Sequence, residues 1–321
     1  MPRGGQSWFP GLVALFLAGG AGCAGNAIKV PVTMPAEIDL KGIRSIAMGE
    51  IDGRGGLDLY DALETQLTSC GRFEVVDRQH LEEVMKEKSL SLSGAIDPAT
   101  ATEIGRLLGA SALIFGRVSR FDYAENVTNH GWKDKQGKPH VSYTRTGTFT
   151  ESVTLQVTDL TTGMILTKVP LDSHHERSEN ATDDQPAGID RDGLTEQCRT
   201  EIVTAFMRKI APYQTVVQVS FKSSKESPEL ETGINYAKAG DAEKARQVFG
   251  QAVSDHPADP LALFDYAVAC ELCGRFEEAL ASYEKAYVAL PRQFILEARR
   301  RCDKRQADEQ RLRQQQQDAE P

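Results

Sequence analysis

The chain has 321 residues, 40% of them hydrophobic, enough apolar material to bury one full core and to allow a second domain. Its formal net charge of −9 excludes a general grip on nucleic-acid phosphates. The acidic residues are spread along the chain, as on a solvated surface, and do not gather into a binding tail.

Residues 1–22 read as a segment separate from the fold. Arg3 precedes the apolar run WFPGLVALFLA, which is too short to span a bilayer and has the form of a secretory signal. The following GAGC resembles the processing site of a bacterial lipoprotein, which implies lipid on Cys23. Gly20 stands where such sites usually carry Leu, so secretion without lipid is the alternative. Ala24 replaces the Asp of an inner-membrane retention signal, which points to the outer membrane. No later stretch reaches the length of a membrane-spanning helix. Residues 23–42, with Pro31 and Pro35, read as a linker.

The next region predicts an α/β domain over 43–221. Ile43–Ile51 alternates like a strand, and Leu59, Leu63 and Leu67 form the stripe of a helix closed by Gly71. RFEVVD is a short strand, and a helix over 78–88 buries Leu81, Val84 and Met85. Asp97 is placed to cap a helix that starts with Pro98 and points Ile104, Leu107 and Leu108 inward. ASALIFGRV then reads as a central strand covered on both faces. Between Thr146 and Thr158, Phe149, Val153, Leu155 and Val157 share one face and Thr148, Thr150, Ser152, Thr154 and Gln156 the other. DLTTG turns the chain into the antiparallel MILTKVPL. A helix near 194–210 carries Leu194, Cys198, Ile202, Phe206 and Ile210 on one stripe, which makes Cys198 a buried small hydrophobe. TVVQVSF is the last strand.

Three stretches carry a specific resemblance: GRFEVVDRQHLEEV, the turn SLSGAIDP, and GRLLGASALIFGRV, with VTDLTTGMIL beyond them. Together they resemble the CsgG family of curli-secretion lipoproteins, over roughly Ile43 to Tyr213. The resemblance implies a mixed-sheet α/β domain facing the periplasm, anchoring at the outer membrane, and self-association into a ring. It also raises the question of a pore, since the curli channel inserts two long hairpins per subunit. The first candidate hairpin, Phe121 to Thr150 turning at KDKQGKP, would set Arg145 against lipid, at a cost of about 2–4 kcal/mol near the midplane. The second, DSHHERSENATDDQPAGIDRDG, reads as a short charged loop unable to cross a bilayer.

A polar linker, 222–227, leads to a repeated region over 228–308. Gly233 recurs as Ala267, Gly240 as Gly274, Ala245 as Ala279, Phe249 as Tyr283, Ala252 as Ala286 and Pro257 as Pro291. Each pair lies 34 residues apart, the period of the tetratricopeptide repeat. Tyr236 also sits at its expected position. These residues are the expected packing positions of an all-α repeat domain that docks a protein partner. Two repeats are few for a solenoid core, so the helix near Gln293 is expected to act as a cap, with the shortfall covered by docking against the first domain or another subunit. Residues 309–321 read as a polar tail.

Other groupings carry little chemistry. Cys270 and Cys273 have the spacing of a redox or metal pair, but no second such pair completes a zinc site, and packing or a disulfide accounts for them. His174, His175 and Glu176 lie in the expected polar loop without partner ligands. Asp52, Asp58 and Asp61 beside DGRGG lack the lysine of a phosphate loop and serve to charge a helix start. The expectation is a non-enzymatic outer-membrane lipoprotein without cofactor, metal or catalytic residues, acting in curli-like or envelope export. The alternatives are a regulator similar to penicillin-binding-protein activator lipoproteins and a subunit of a CsgG-type channel.

Overall fold

The computed structural model describes residues 26–76 and 98–318. Cys23 and the signal segment, the helix expected over 78–88, the SLSG turn and Asp97 lie outside the described residues. The described chain divides into two compact bodies. One holds residues 35–213 with the C-terminal stretch from Leu312, and the other holds the chain up to Met34 with 214–311.

The first body is a mixed sheet with helices on both faces. Strands β2 (Ser45–Asp52), β3 (Glu74–Val76), β4 (Ala112–Lys133), β5 (Pro139–Asp159) and β6 (Ile165–Thr182) lie in the order β3-β2-β4-β5-β6. β2 runs parallel to β3 and β4, while β4, β5 and β6 form an antiparallel meander. Parallel neighbours need a crossover, and helix α1 (Gly56–Ser69) supplies it between β2 and β3. Leu59, Leu63 and Leu67 of α1 join Ile46, Met48, Ile114, Val153, Leu155 and Val157 of the sheet in one buried cluster. Helix α3 (Arg191–Ile210) adds Ile202, Phe206 and Ile210 to it. On the opposite face, Ile104 and Leu108 of α2 (Pro98–Leu108) pack with Ala47, Leu113 and Leu160. Burial on both faces explains why the ALIF segment of β4 is a continuous apolar run.

The three meander strands continue far beyond this core. β4 has 22 residues, which at 3.3 Å each extends about 70 Å. The predicted hairpin is present, with its turn closed between Asp134 and Lys138 (N to O, 3.0 Å). Arg145, the residue that would meet lipid if this hairpin were inserted, is covered and partnered here. Its side chain is 19% exposed, pairs with Glu125, and donates from Nε to the Pro186 carbonyl at 3.1 Å. Ile189 closes over Gly147 on the same face. The other face is a ladder of hydroxyls: Thr144 bonds Asn180 (2.7 Å), Thr146 meets Ser178 (2.9 Å) and Thr150 meets His174 (2.9 Å).

The segment expected as a charged loop, 172–193, is also different. β6 runs through it to Thr182, with His174 opposite Thr150 and His175 opposite Phe149. Consecutive strand residues point to opposite faces, so His174 and His175 cannot converge on one ion. Both faces of this stretch are polar, which removes the alternation that identifies a strand.

The second body contains α4 (Leu230–Lys238), α5 (Ala242–Asp255), α6 (Pro260–Leu272), α7 (Phe276–Ala289) and most of α8 (Gln293–Gln317). It also contains a two-stranded sheet of β1 (Ala27–Met34) and β7 (Tyr213–Ser220). Three expected boundaries change as a result. The 23–42 linker holds β1, whose Pro31 is tolerated because a two-stranded sheet has only edges. The 222–227 linker is fastened to the repeats: Lys222 N–H donates to Asp265 (2.8 Å) and the Ser227 hydroxyl to Asp259 (2.7 Å). The expected tail is helical to Gln317, and within the first body Gln315 makes two hydrogen bonds to the Ala36 backbone, at 2.9 and 3.0 Å. Among the described residues, no helix is long and apolar enough to cross a membrane.

Candidate functional site

The helical body is the candidate interaction site, and its form follows from the repeated positions. Gly233 on α4 lies against the Phe249 ring of α5, so closely that a Cβ there would collide with it. Ala245, Phe249 and Ala252 are fully buried, and so are their equivalents Ala279, Tyr283 and Ala286, together with Ala267, the counterpart of Gly233. Gly240 (φ 87°) and Gly274 (φ 73°) make the left-handed turns that end the first helix of each pair. Pro257 and Pro291 lie exposed just beyond the second helices. Tyr236 is partly exposed, with the Lys244 ammonium 5.5 Å above its ring. Small residues at the contacts let the helices approach, and the aromatic rings fill what remains.

Two repeats leave both ends of such a stack uncovered, and each end is closed here from within the body. At one end Phe221, just past β7, stacks on Phe249 with centroids 5.5 Å apart, and Ile28, Val30 and Val217 pack on the same cluster. At the other end α8 buries Ile295, Ala298 and Cys302. It is fixed by Glu271 of α6, a fully buried carboxylate. Arg301 donates to it at 3.0 and 2.8 Å, Arg305 at 3.0 Å and the Tyr283 hydroxyl at 2.9 Å. Burial opposes the charge on Arg301, but Glu271 outweighs it and holds the guanidinium pKa above its usual value. Burial also drives the Tyr283 hydroxyl and the Asp265 carboxyl well above their ordinary values.

The cysteine pair has no reactive character in this setting. Cys270 is buried inside α6 and Cys273 ends that helix, and all five described cysteines are unpaired. Burial pushes Cys270 and Cys302 up to about 12 and Cys273 to about 11, so these thiols stay protonated.

In the sheet body, Cys198 is buried as its stripe predicted. Asp58 lies in the first turn of α1, as expected of a helix-charging residue, and pairs with Arg199 of α3 at 3.0 Å. Among the described residues, no group of three His, Cys, Asp or Glu side chains could hold a metal ion. The sequence reading passed over Glu151. It occupies the inward phase of β5 between Phe149 and Val153, is fully buried, and has no hydrogen-bond partner among the described residues. Burial lifts its pKa to about 7, with Arg199 pulling it down and Asp58 adding to the rise. Its signal was present in the sequence as a carboxylate in phase with four apolar residues.

Comparison with known families finds the CsgG model, the curli production assembly/transport component, over residues 44–183 and a tetratricopeptide repeat model over 230–293. No curated protein matches the chain in sequence. Among solved structures, similar chains include the LpoB C-terminal domain from Salmonella enterica, at 17% identity, covering 43% of this chain and 87% of that one, with a TM-score of 0.28. A lipoprotein from Neisseria meningitidis shares 14% identity over 51% of this chain and 97% of its own, with a TM-score of 0.31. PelC from Paraburkholderia phytofirmans, solved as a dodecamer, shares 13% over 58% and 98%, with a TM-score of 0.25.

Proposed function

We propose that this chain, which joins a CsgG domain to tetratricopeptide repeats, is a non-enzymatic scaffold of the bacterial envelope. In this reading, lipid on Cys23 holds it at the periplasmic face of the outer membrane. The α/β domain associates with copies of itself, and the repeats hold a protein partner in curli-like or envelope export. The observation that carries the reading is the order of the two family matches, a CsgG domain followed by a helical-repeat module. The lipoprotein-like GAGC supports the anchor.

A channel role has less support. Hydrocarbon-facing strands need an apolar outer face. The distal meander instead offers the Arg145–Glu125 pair on one side and the threonine ladder on the other.

The test is fractionation of cells expressing the full chain or Cys23→Ser. The native chain should sediment with outer membranes and the variant should be released as soluble periplasmic protein, because several acyl chains bind firmly where none remains in the mutant. Membrane association unchanged by the substitution would sink the anchored-scaffold reading. Crosslinking of the native chain in the same cells should give ladders of its own mass together with a partner lost on deleting 228–308.

A further inference from the structure

The inward face of β5 reads Phe149, Glu151, Val153, Leu155, Val157, and every one of these is buried. Glu151 alone among them can carry charge. Across the sheet it faces Phe121 of β4 and Ser173 of β6. Phe121 packs edge-on against Phe149 and lies beneath the Arg54 guanidinium. Ser173 donates to Glu201, whose carboxylate also takes His175 at 3.1 Å. Helix α3 brings Cys198 and Arg199 to the site, and α1 brings Asp58. Arg199 and Asp58 are the charges that act on Glu151.

Arg199 is already engaged elsewhere. It donates to Asp58 at 3.0 Å, which ties the middle of α3 to the first turn of α1, and to Glu196 of its own helix at 2.9 Å. Its Nε, however, is buried with no partner among the described residues, and both oxygens of Glu151 are in the same condition. The interface therefore holds an orphan donor and an orphan acceptor on two groups of opposite charge. A neutral carboxyl tolerates this arrangement. An ionised one does not, because a buried charge needs a counter-ion and hydrogen bonds.

We infer that Glu151 and Arg199 form a proton-controlled switch at the seat of α3. With Glu151 protonated, Arg199 clamps α3 to α1 through Asp58. When Glu151 gives its proton to solvent, Arg199 turns to the new carboxylate and the Asp58 clamp opens. The part of the chain loosened is the first half of α3 and the segment before it, held by the small cluster of Phe149, Ile189, Leu194 and Cys198. That segment also supplies the Pro186 carbonyl that covers Arg145. The Glu151 pKa of about 7 puts the swap in the neutral range.

The experiment is a pH titration of the full chain by NMR, following the Glu151 carboxyl carbon and the Arg199 Nε–H from pH 5 to 8.5. Both signals should move together with a midpoint near 7, and amide exchange at 190–200, corrected for its intrinsic pH dependence, should rise at least tenfold across it. In Glu151→Gln the Arg199 signal and the corrected exchange should stay flat. A Glu151 midpoint in the ordinary carboxylate range overturns the proposal, and so does an Arg199 transition that persists in Glu151→Gln. If that variant does not fold, the wild-type titration decides alone: midpoints for the two groups that differ by more than half a unit reject the switch.

Discussion

Glu271 and Glu151 are equally buried and differently provided for. Glu271 accepts from two arginines brought by the closing helix α8 and from Tyr283 of α7. Glu151 accepts from nothing among the described residues, although an arginine stands near it. Removal from water penalises a charge in both places, but only at Glu271 do fixed donors offset the loss. The first carboxylate is a structural pin held by three fixed donors, and the second is a buried group with no such donors, whose proton is held more tightly than usual.

The contrast predicts effects of opposite sign. The largest is at Glu271→Ala, which strands two guanidinium groups and a hydroxyl. It should destabilise the helical body by about 3–5 kcal/mol, read as an earlier urea transition in the helical circular dichroism. Glu151→Leu should do the reverse. The folded state binds the Glu151 proton more tightly than the unfolded chain does. Stability should therefore fall as pH rises from the ordinary glutamate range through about 7, and then level off. Leucine removes that loss, for a gain on the order of 2 kcal/mol at pH 8 and little at pH 4, measurable as unfolding midpoints at the two values. The smallest effect is at Tyr283→Phe, which takes one donor from Glu271 and leaves the arginines. A loss of about 1 kcal/mol is expected, and a much larger one would mean that the hydroxyl holds the arginines in place.

The sequence was informative where a feature repeats locally. The 34-residue period located the packing alanines, Phe249 and Tyr283 without reference to any partner. The alternation along β5 assigned its apolar face, but Glu151 was left out of that face because a lone carboxylate looks like an interruption. Nothing local marks Glu271 either, since Arg301 and Arg305 come from a different helix, 30 and 34 residues later. The distal half of β6 was invisible for another reason: with both faces polar, its pattern is that of a loop. β1 was hidden by Pro31 within it and Pro35 just past it, and its role emerges only from β7, which lies on the far side of the α/β domain in sequence.

Strand β1 has a consequence for reach. Ala27 opens it only four residues after Cys23, and four extended residues span at most about 14 Å. β1 belongs to the body that contains the repeats, not to the sheet domain that follows it in sequence. With Cys23 acylated, the module encoded last is therefore the one on the shortest tether. Under the proposed anchoring and docking, a partner held by the repeats would be captured on this short tether, where one arriving along the membrane would meet them sooner than one diffusing through the space beyond.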